Sequence, residues 1–400
     1  MPACRIISAL LACSALSGCG TAWNKPANSY DMNGSHAYMA ERRDMPDSPD
    51  AQAGDPDRAN AARCSAPLRP APPRGAISDG QMPLSPGDVV QLSLPGNEAP
   101  SGTYKVDSAG TLALDVLGTL RVTGLSVAEA EADLSRRVVA NGYFRPGHAR
   151  ATLRLLDRGA VRIRVSGAVF QPGRVVVNQK SANDRDPLRD TAAGDHAPGR
   201  ALSNALASAA GVRPDADVEH VAVTRAGVRR VVNMAGMITG DEVDDILLAD
   251  GDQVEVPSRH CFQAELARPS PITPPGVRAF ISNLTVPAAS NASAAIGREA
   301  TTFPYGTRLL QALISGNCIG GIQSTNAGRW AVLISTNPAT GRTEVVEREI
   351  ERLVRRSDRD GYNPVILPGD GVACYDSVVT NIRDVVRTIT EGATGPMSKF

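Results

Sequence analysis

Apolar and polar positions alternate in short runs along most of this chain, and a recurring turn opens the runs. Residues 84–94 read Leu-Ser-Pro-Gly-Asp-Val-Val-Gln-Leu-Ser-Leu. Pro86 presets a turn, Gly87 can take φ > 0, Asp88 can bond its own backbone, and Val90, Leu92 and Leu94 then alternate with Val89, Gln91 and Ser93. A tight turn therefore feeds a strand. The same device returns at 250–256 as Asp-Gly-Asp-Gln-Val-Glu-Val and at 367–372 as Leu-Pro-Gly-Asp-Gly-Val. Three copies predict three modules.

The first module is expected over 81–157. Runs at 103–106 and 111–114 flank Asp107-Ser108-Ala109-Gly110, a hairpin signal. Ser126 with Glu129 forms a capping box, Val127, Ala130, Leu134 and Val138 follow at helical spacing, and Asn141-Gly142 stops the helix. Ala151, Leu153 and Leu155 then alternate with Arg150, Thr152 and Arg154, as in a strand with one wet side.

The second module, 158–258, begins with Val161, Ile163 and Val165 alternating with Arg162 and Arg164. A polar insertion near 178–200 reads as a surface loop, a helix carries Leu202, Ala205, Leu206 and Ala209 up to Gly211, strands follow at 221–224 and 228–232, and 246–256 closes the unit. After a Pro-rich linker at 259–276, the third module (277–375) repeats the order: a helix through Leu309, Leu310, Leu313 and Ile314 ended by Gly316, strands at 330–335 and 344–346, and a closing turn at 366–370. Helix, strand pair and closing Gly-Asp recur roughly 110 residues apart, the signature of an internal duplication. The fold class is α+β, in several domains.

The end of the chain differs. Val378, Val379, Ile382, Val385, Val386 and Ile389 fall within one arc of a helix over 376–391, with Arg383, Asp384 and Arg387 on the other side and a tail at 392–400. Such a helix is about 24 Å long, against a hydrocarbon core of about 30 Å.

Lys plus Arg equals Asp plus Glu at 42 each, so no global field draws the chain to nucleic acid. Residues 1–18 form a signal peptide, with Arg5 ahead of a short apolar run and small residues before Cys19. Residues 19–80 are rich in Pro, Ala, Asp and Gly and read as a flexible tether. Export implies an oxidising compartment. Beyond Cys4, Cys13 and Cys19, four cysteines remain, Cys64, Cys261, Cys318 and Cys374, and they allow three pairings. Cys318 and Cys374 share a module, which favours that pair.

Chemistry has no starting residue here: no nucleophile elbow, His-Glu-x-x-His or phosphate loop occurs, so no catalytic residue and no cofactor are expected. No Cys-x-x-Cys occurs and His260 beside Cys261 is an isolated pair, so no metal site is expected. The acids Asp241, Glu242, Asp244 and Asp245 read as a solvated turn rather than a glycosidase pair. Arg150, Arg154, Arg162 and Arg164 read either as solvated strand faces or as a lining for an acidic polymer.

Leu16-Ser17-Gly18-Cys19 resembles the lipobox of bacterial lipoproteins, which makes Cys19 the lipidated first residue of the mature protein, and Gly20 after it suits export to the outer membrane. Together with the Leu-x-Pro-Gly-Asp strand, the Val-x-Gly-x-Val-x-x-Pro-Gly segment at 165–173 and the two later Gly-Asp turns, it resembles the Wza-type outer-membrane polysaccharide export family. That resemblance implies a polysaccharide-export domain, two soluble-ligand-binding β-grasp (SLBB) domains and a C-terminal helix. It implies a homo-oligomeric ring, typically an octamer, standing in the periplasm, with polysaccharide passing along the lumen and an inner-membrane polysaccharide co-polymerase with tyrosine-kinase activity as partner. By the same resemblance Val378, Val379, Ile382, Val385, Val386 and Ile389 face outer-membrane lipid, while Arg383, Asp384 and Arg387 line the pore. A lone helix of this polarity cannot span a bilayer, whereas a closed ring can. Two alternatives stay open: the helix packs on a globular domain, and the protein is a saccharide- or peptidoglycan-binding lipoprotein that makes no channel.

Overall fold

The computed structural model describes residues 64, 66–71, 82–94, 101–114, 117–145, 151–180, 197–283, 301–319, 329–336, 343–355, 357 and 362–376. The signal peptide, Cys19, most of the tether and the amphipathic stripe of the last helix lie outside the described residues. The chain divides into two compact units, one of residues 64–274 and one that includes the described residues from 275 on.

The first unit opens with β1 (Val89–Ser93), β2 (Gly102–Lys105), β3 (Thr111–Leu114), β4 (Gly118–Arg121), α1 (Val127–Ala140) and β5 (Thr152–Asp157). β1 is central in an antiparallel sheet of order β2-β1-β5, while β3 and β4 pair separately. The alternation of β1 places Val90, Leu92 and Leu94 inward against Leu134 and Val138 of α1 and Leu153 of β5, the core of this module. The runs flanking Asp107 do not form the expected hairpin. They part into two sheets, because the Gly110 carbonyl accepts the N–H groups of Val122 and Thr123 at 2.9 and 3.1 Å and draws β3 toward β4. Asp107 still shapes the corner, accepting Ala109 and Thr111 N–H at 2.9 and 2.8 Å.

The same unit continues with β6 (Val161–Gly167), β7 (Gly173–Val177), α2 (Leu202–Ser208), β8 (Val221–Arg225), β9 (Val228–Val232), α3 (Gly236–Thr239) and β10 (Gln253–Val256). These strands form one mixed sheet of order β7-β6-β10-β8-β9. Its inner face, with Val161, Ile163, Val165, Val223 and Val254, packs on Leu202, Ala205 and Leu206 of α2 in a second core.

The second unit holds β11 (Gly276–Asn283), β12 (Thr301–Pro304), α4 (Leu309–Ser315), β13 (Arg329–Thr336), β14 (Thr343–Glu349), α5 (Ile350–Arg355) and β15 (Gly371–Asp376). Its sheet runs β12-β11-β15-β13-β14. Position for position that is the order of the preceding sheet, including a parallel pair at its centre, β6 with β10 and β11 with β15. The helices match in detail. Leu202 N–H bonds Ile246 O and Leu309 N–H bonds Pro364 O, both at 2.9 Å. One residue on, Asp245 accepts Ser203 N–H and Asn363 accepts Leu310 N–H, again both at 2.9 Å. The duplication inferred from spacing is thus one of topology and of helix capping.

Three expectations need correction. The tether expected over 19–80 is not free to its end: Leu68 is 7 % exposed in the second core and Cys64 is disulfide-bonded to Cys261. The stretch 259–276 is no free linker: Leu266 and Ile272 are buried in that core and Val212 N–H bonds Ile272 O at 2.8 Å, so its apolar residues hold it down. Asp376, read as the start of the last helix, ends β15 opposite Arg329.

The capping box of α1 is complete, with Glu129 N–H donating to Ser126 Oγ at 3.2 Å and Ser126 N–H to Glu129 Oε2 at 2.8 Å. The bonds from the Ser126 backbone and hydroxyl hold the Glu129 carboxyl below its usual value. A depressed folded pKa stabilises above the unfolded pKa and the gain is lost as pH falls through the folded one. Glu129→Gln therefore lowers the melting temperature at neutral pH, and the gap to the natural protein closes on acidification. Ser126→Ala costs about 1 kcal/mol by urea titration.

Candidate functional site

Each Gly-Asp turn is built by the same bonds. Asp88, Asp252 and Asp370 donate N–H to Ser85, Ala249 and Leu367 carbonyls at 3.1, 3.2 and 3.1 Å. Their side chains accept the N–H of those same residues at 3.0, 2.8 and 2.8 Å. The third turn residue, Gly87, Gly251 or Gly369, sits at φ +91, +87 or +87°, where a side chain is strained. The aspartate carbonyl then accepts from a neighbouring strand: Val106, Arg164 and Phe280 N–H at 2.9, 3.0 and 2.9 Å. Each turn thus registers the strand it opens on a neighbouring one.

The first turn does more. Asp88 is fully buried, and Arg158 Nη1 reaches its Oδ2 at 3.0 Å, with exposures of 1 % and 0 %. Arg200 Nη2 meets the other oxygen, and Gly159 N–H donates to it at 2.9 Å. Arg158 also donates to the carbonyls of Pro83 and Met82 at 2.9 and 3.3 Å, and Arg200 Nε to Gly159 O at 2.9 Å. Asn178 Nδ2 donates to the carbonyls of Arg158 and Gly159 at 2.8 and 3.0 Å. One carboxylate thereby gathers the start of the first module, the crossover into the second and the entry to α2. Gly159 must be glycine, because a Cβ there would stand 2.6 Å from the Gly87 carbonyl carbon.

Asp252 repeats the arrangement on a smaller scale, with Arg225 Nη2 at 2.8 Å and also bonded to Leu247 O at 2.7 Å. In the second unit Arg348 is buried, its Nε donating to Tyr362 O at 2.9 Å and its guanidinium 4.7 Å from the Tyr362 ring. Sequence reasoning placed Arg200 in a surface insertion and did not single out Arg158, Arg225 or Arg348. Nothing in local spacing marks arginines whose partners lie 14, 27, 70 and 112 positions away.

Among the cysteines, Cys318 is bonded to Cys374 across 56 residues and Cys64 to Cys261 across 197. The acids at 241–245 are dispersed in role. Asp241 accepts from Thr239 Oγ1 at 2.6 Å, Asp244 pairs with Arg230 at 2.7 Å and Asp245 caps α2. Asp217, Glu219 and His220 place ligand atoms within 4.8 Å of one another. Arg259 already spans both carboxylates at 3.3 and 3.0 Å and supplies the charge a cation would bring.

Arg162 and Arg164 stand exposed on the outer face of the second sheet. Arg154 lies on β5, in a different sheet, and Arg150 lies outside the described residues, so the four are not one lining. The residues assigned to lipid and pore, Val378, Val379, Ile382, Val385, Val386, Ile389, Arg383, Asp384 and Arg387, and the lipidation residue Cys19 lie outside the described residues as well.

A small α+β module opened by a Pro-Gly-Asp turn, locked through its aspartate to a duplicated mixed-sheet module, defines the architecture. Residues 77–154 match the family model for polysaccharide biosynthesis/export proteins. The chain therefore carries a polysaccharide-export domain at its first module, in agreement with the Wza-type resemblance, and its role lies in polysaccharide export or biosynthesis. The match ends before the repeated modules. No curated protein matches the chain.

Removing Asp88 leaves two buried guanidiniums without a counter-charge. Asp88→Ala is therefore expected to cost about 3–5 kcal/mol. Asp252→Ala, facing an Arg225 side chain that is 27 % exposed, costs about 1–3 kcal/mol. Parallel denaturant titrations with both disulfides intact check the ranking. Losing the Cys64–Cys261 bond by Cys64→Ser together with Cys261→Ser costs about 2–5 kcal/mol in the same assay.

Proposed function

We propose that this chain is an outer-membrane lipoprotein whose copies assemble into a conduit for capsular polysaccharide or exopolysaccharide. The observation that carries the reading is the export-domain match at 77–154, followed by two modules of identical strand order. The modules take the place of the paired SLBB domains in the Wza-type arrangement. Two disulfides suit a periplasmic location, since such bonds persist in oxidising compartments. Acylation of Cys19 supplies the anchor, because several acyl chains hold where one is marginal.

Among the described residues no helix is long and apolar enough to cross a membrane. In this reading the crossing is made by residues 377–391 of several copies at once, Val378, Val379, Ile382, Val385, Val386 and Ile389 turned to lipid and Arg383, Asp384 and Arg387 to water. The partners are further copies of the chain, eight in the Wza-type plan, and an inner-membrane co-polymerase with tyrosine-kinase activity. The protein's own part is passage rather than chemistry.

Detergent extraction of the lipidated protein followed by mass measurement is expected to give a closed multimer. A monomer would sink the conduit and leave a saccharide- or peptidoglycan-binding lipoprotein. Deleting residues 378–391 is expected to abolish surface polymer while the truncated protein still folds, as judged by its intact disulfides. Undiminished surface polymer would show that the helix only packs.

A further inference from the structure

The duplicated sheets share a scaffold but not an outer face. Arg164 and Phe280 occupy the same position: each donates its N–H to the carbonyl of the aspartate in the following Gly-Asp turn, Asp252 at 3.0 Å and Asp370 at 2.9 Å. Extending the register across the strands, Thr224 corresponds to Ile334 and Arg229 to Val345. The second unit's sheet thus presents Phe280 and Ile334, 61 % and 42 % exposed, where the first unit's sheet presents Arg164 and Thr224. The fold does not require arginine at the places of Arg164 and Arg229, whereas Arg162 has an exposed arginine, Arg278, as its counterpart.

Nor do the arginines serve their own sheet. Arg164 stands directly opposite Arg174 across β6 and β7, a placement that brings two like charges to about 5 Å between Cβ atoms and is destabilising. Arg162 lies two residues along the same face, about 6.7 Å away. Arg162 approaches Asp250 at 3.5 Å and Arg229 approaches Glu255 at 3.6 Å, both long contacts from guanidiniums more than half exposed. Such pairs contribute little. Among the described residues Arg164 and Arg174 form no ion pair, and Gln253 lies beside Arg164 on β10 with its amide on the same face.

We infer that this face, Arg162, Arg164 and Arg174 with Gln253, binds an acidic polysaccharide through its carboxylates. The inference rests on the export reading and narrows its cargo to polymers carrying uronic acids. A guanidinium fork matches a carboxylate in two parallel hydrogen bonds. The face is flat and open, so a single small anion gains little on it. A polymer whose sugars carry carboxylates at intervals of a few ångströms engages neighbouring arginines together, each contact raising the effective concentration for the next. The like-charge cost across β6 and β7 is then offset only when the polymer is present.

The test uses the full-length lipidated protein in detergent and fluorescently labelled polygalacturonate, with dextran as the neutral polymer and phosphatidylglycerol vesicles as an anionic lipid surface. Polygalacturonate is expected to bind, to be released near 1 M salt, where the screening length is about 3 Å, and to bind at least tenfold more weakly to Arg164→Gln/Arg174→Gln. Both side chains are exposed and the substitution relieves their repulsion, so that variant should melt at or slightly above the natural temperature and keep the natural assembly mass. Equal binding of dextran, unchanged in the variant, would overturn the inference and leave the conduit intact. Binding of the vesicles but not of polygalacturonate, binding of neither, or collapse of the assembly in the variant would overturn it too, the last by making the face a contact between copies. A monomeric natural protein that still binds polygalacturonate through these arginines would overturn the conduit and spare this site.

Discussion

A carboxylate that accepts the N–H of the residue three places before it is the interaction on which this chain is organised. The bond closes the turn, the glycine inside it reverses the backbone, and the aspartate carbonyl is left pointing at a neighbouring strand. In the first module that neighbour, β2, runs antiparallel to the strand the turn opens. In the two repeats it is β6 or β11, parallel to it. A local device of four residues can therefore begin either kind of pairing, and long-range topology decides which.

Burial turns the first copy from a turn into a joint. An ionised carboxylate taken fully out of water is costly unless charge and hydrogen bonds return what solvent gave. Asp88 receives two guanidiniums and two backbone N–H groups, from Ser85 and Gly159. The arginines in turn bind carbonyls on both sides of the crossover, so neither module can shift without stranding a charge. The two cores of the first unit remain separate clusters, and this polar junction, with the close approach of Gly87 and Gly159, connects them. For a protein built from small modules such a junction fixes orientation in a way that greasy contact alone does not.

Much of the fold was legible because it is written at periods of two and about four residues. The alternation at 161–165, the stripe of α1, its capping box and the repeated order of helix, strand pair and turn all depend on near neighbours. What could not be read depends on distant ones. Arg200 looks like part of a polar loop until Asp88, over a hundred residues earlier, is placed beside it. The stretch from Cys64 to Leu68 has the composition of a tether, but the bond to Cys261, the burial of Leu68 in the second core and the bonds of the Leu68 and Arg69 N–H groups to Glu265 and Glu219 hold it in place. The hairpin expected at Asp107 failed for a similar reason. The turn chemistry was right, but strand partners are chosen by the sheet as a whole.

Duplication also separates what the scaffold demands from what has been added to it. Positions shared by the two repeats are those that fold them: the Gly-Asp turn, the buried apolar positions of the central parallel pair, and the acceptor, Asp245 or Asn363, at the head of the helix. Asp and Asn differ in charge yet accept the same backbone N–H, so geometry is what that place requires. The outer faces obey no such constraint. One copy carries arginine where the other carries phenylalanine, on the same strand and at the same register. A face free to vary while its scaffold stays fixed takes its chemistry from what it touches. Where arginine at one register position gives way to an exposed phenylalanine, the two faces are suited to touch different things.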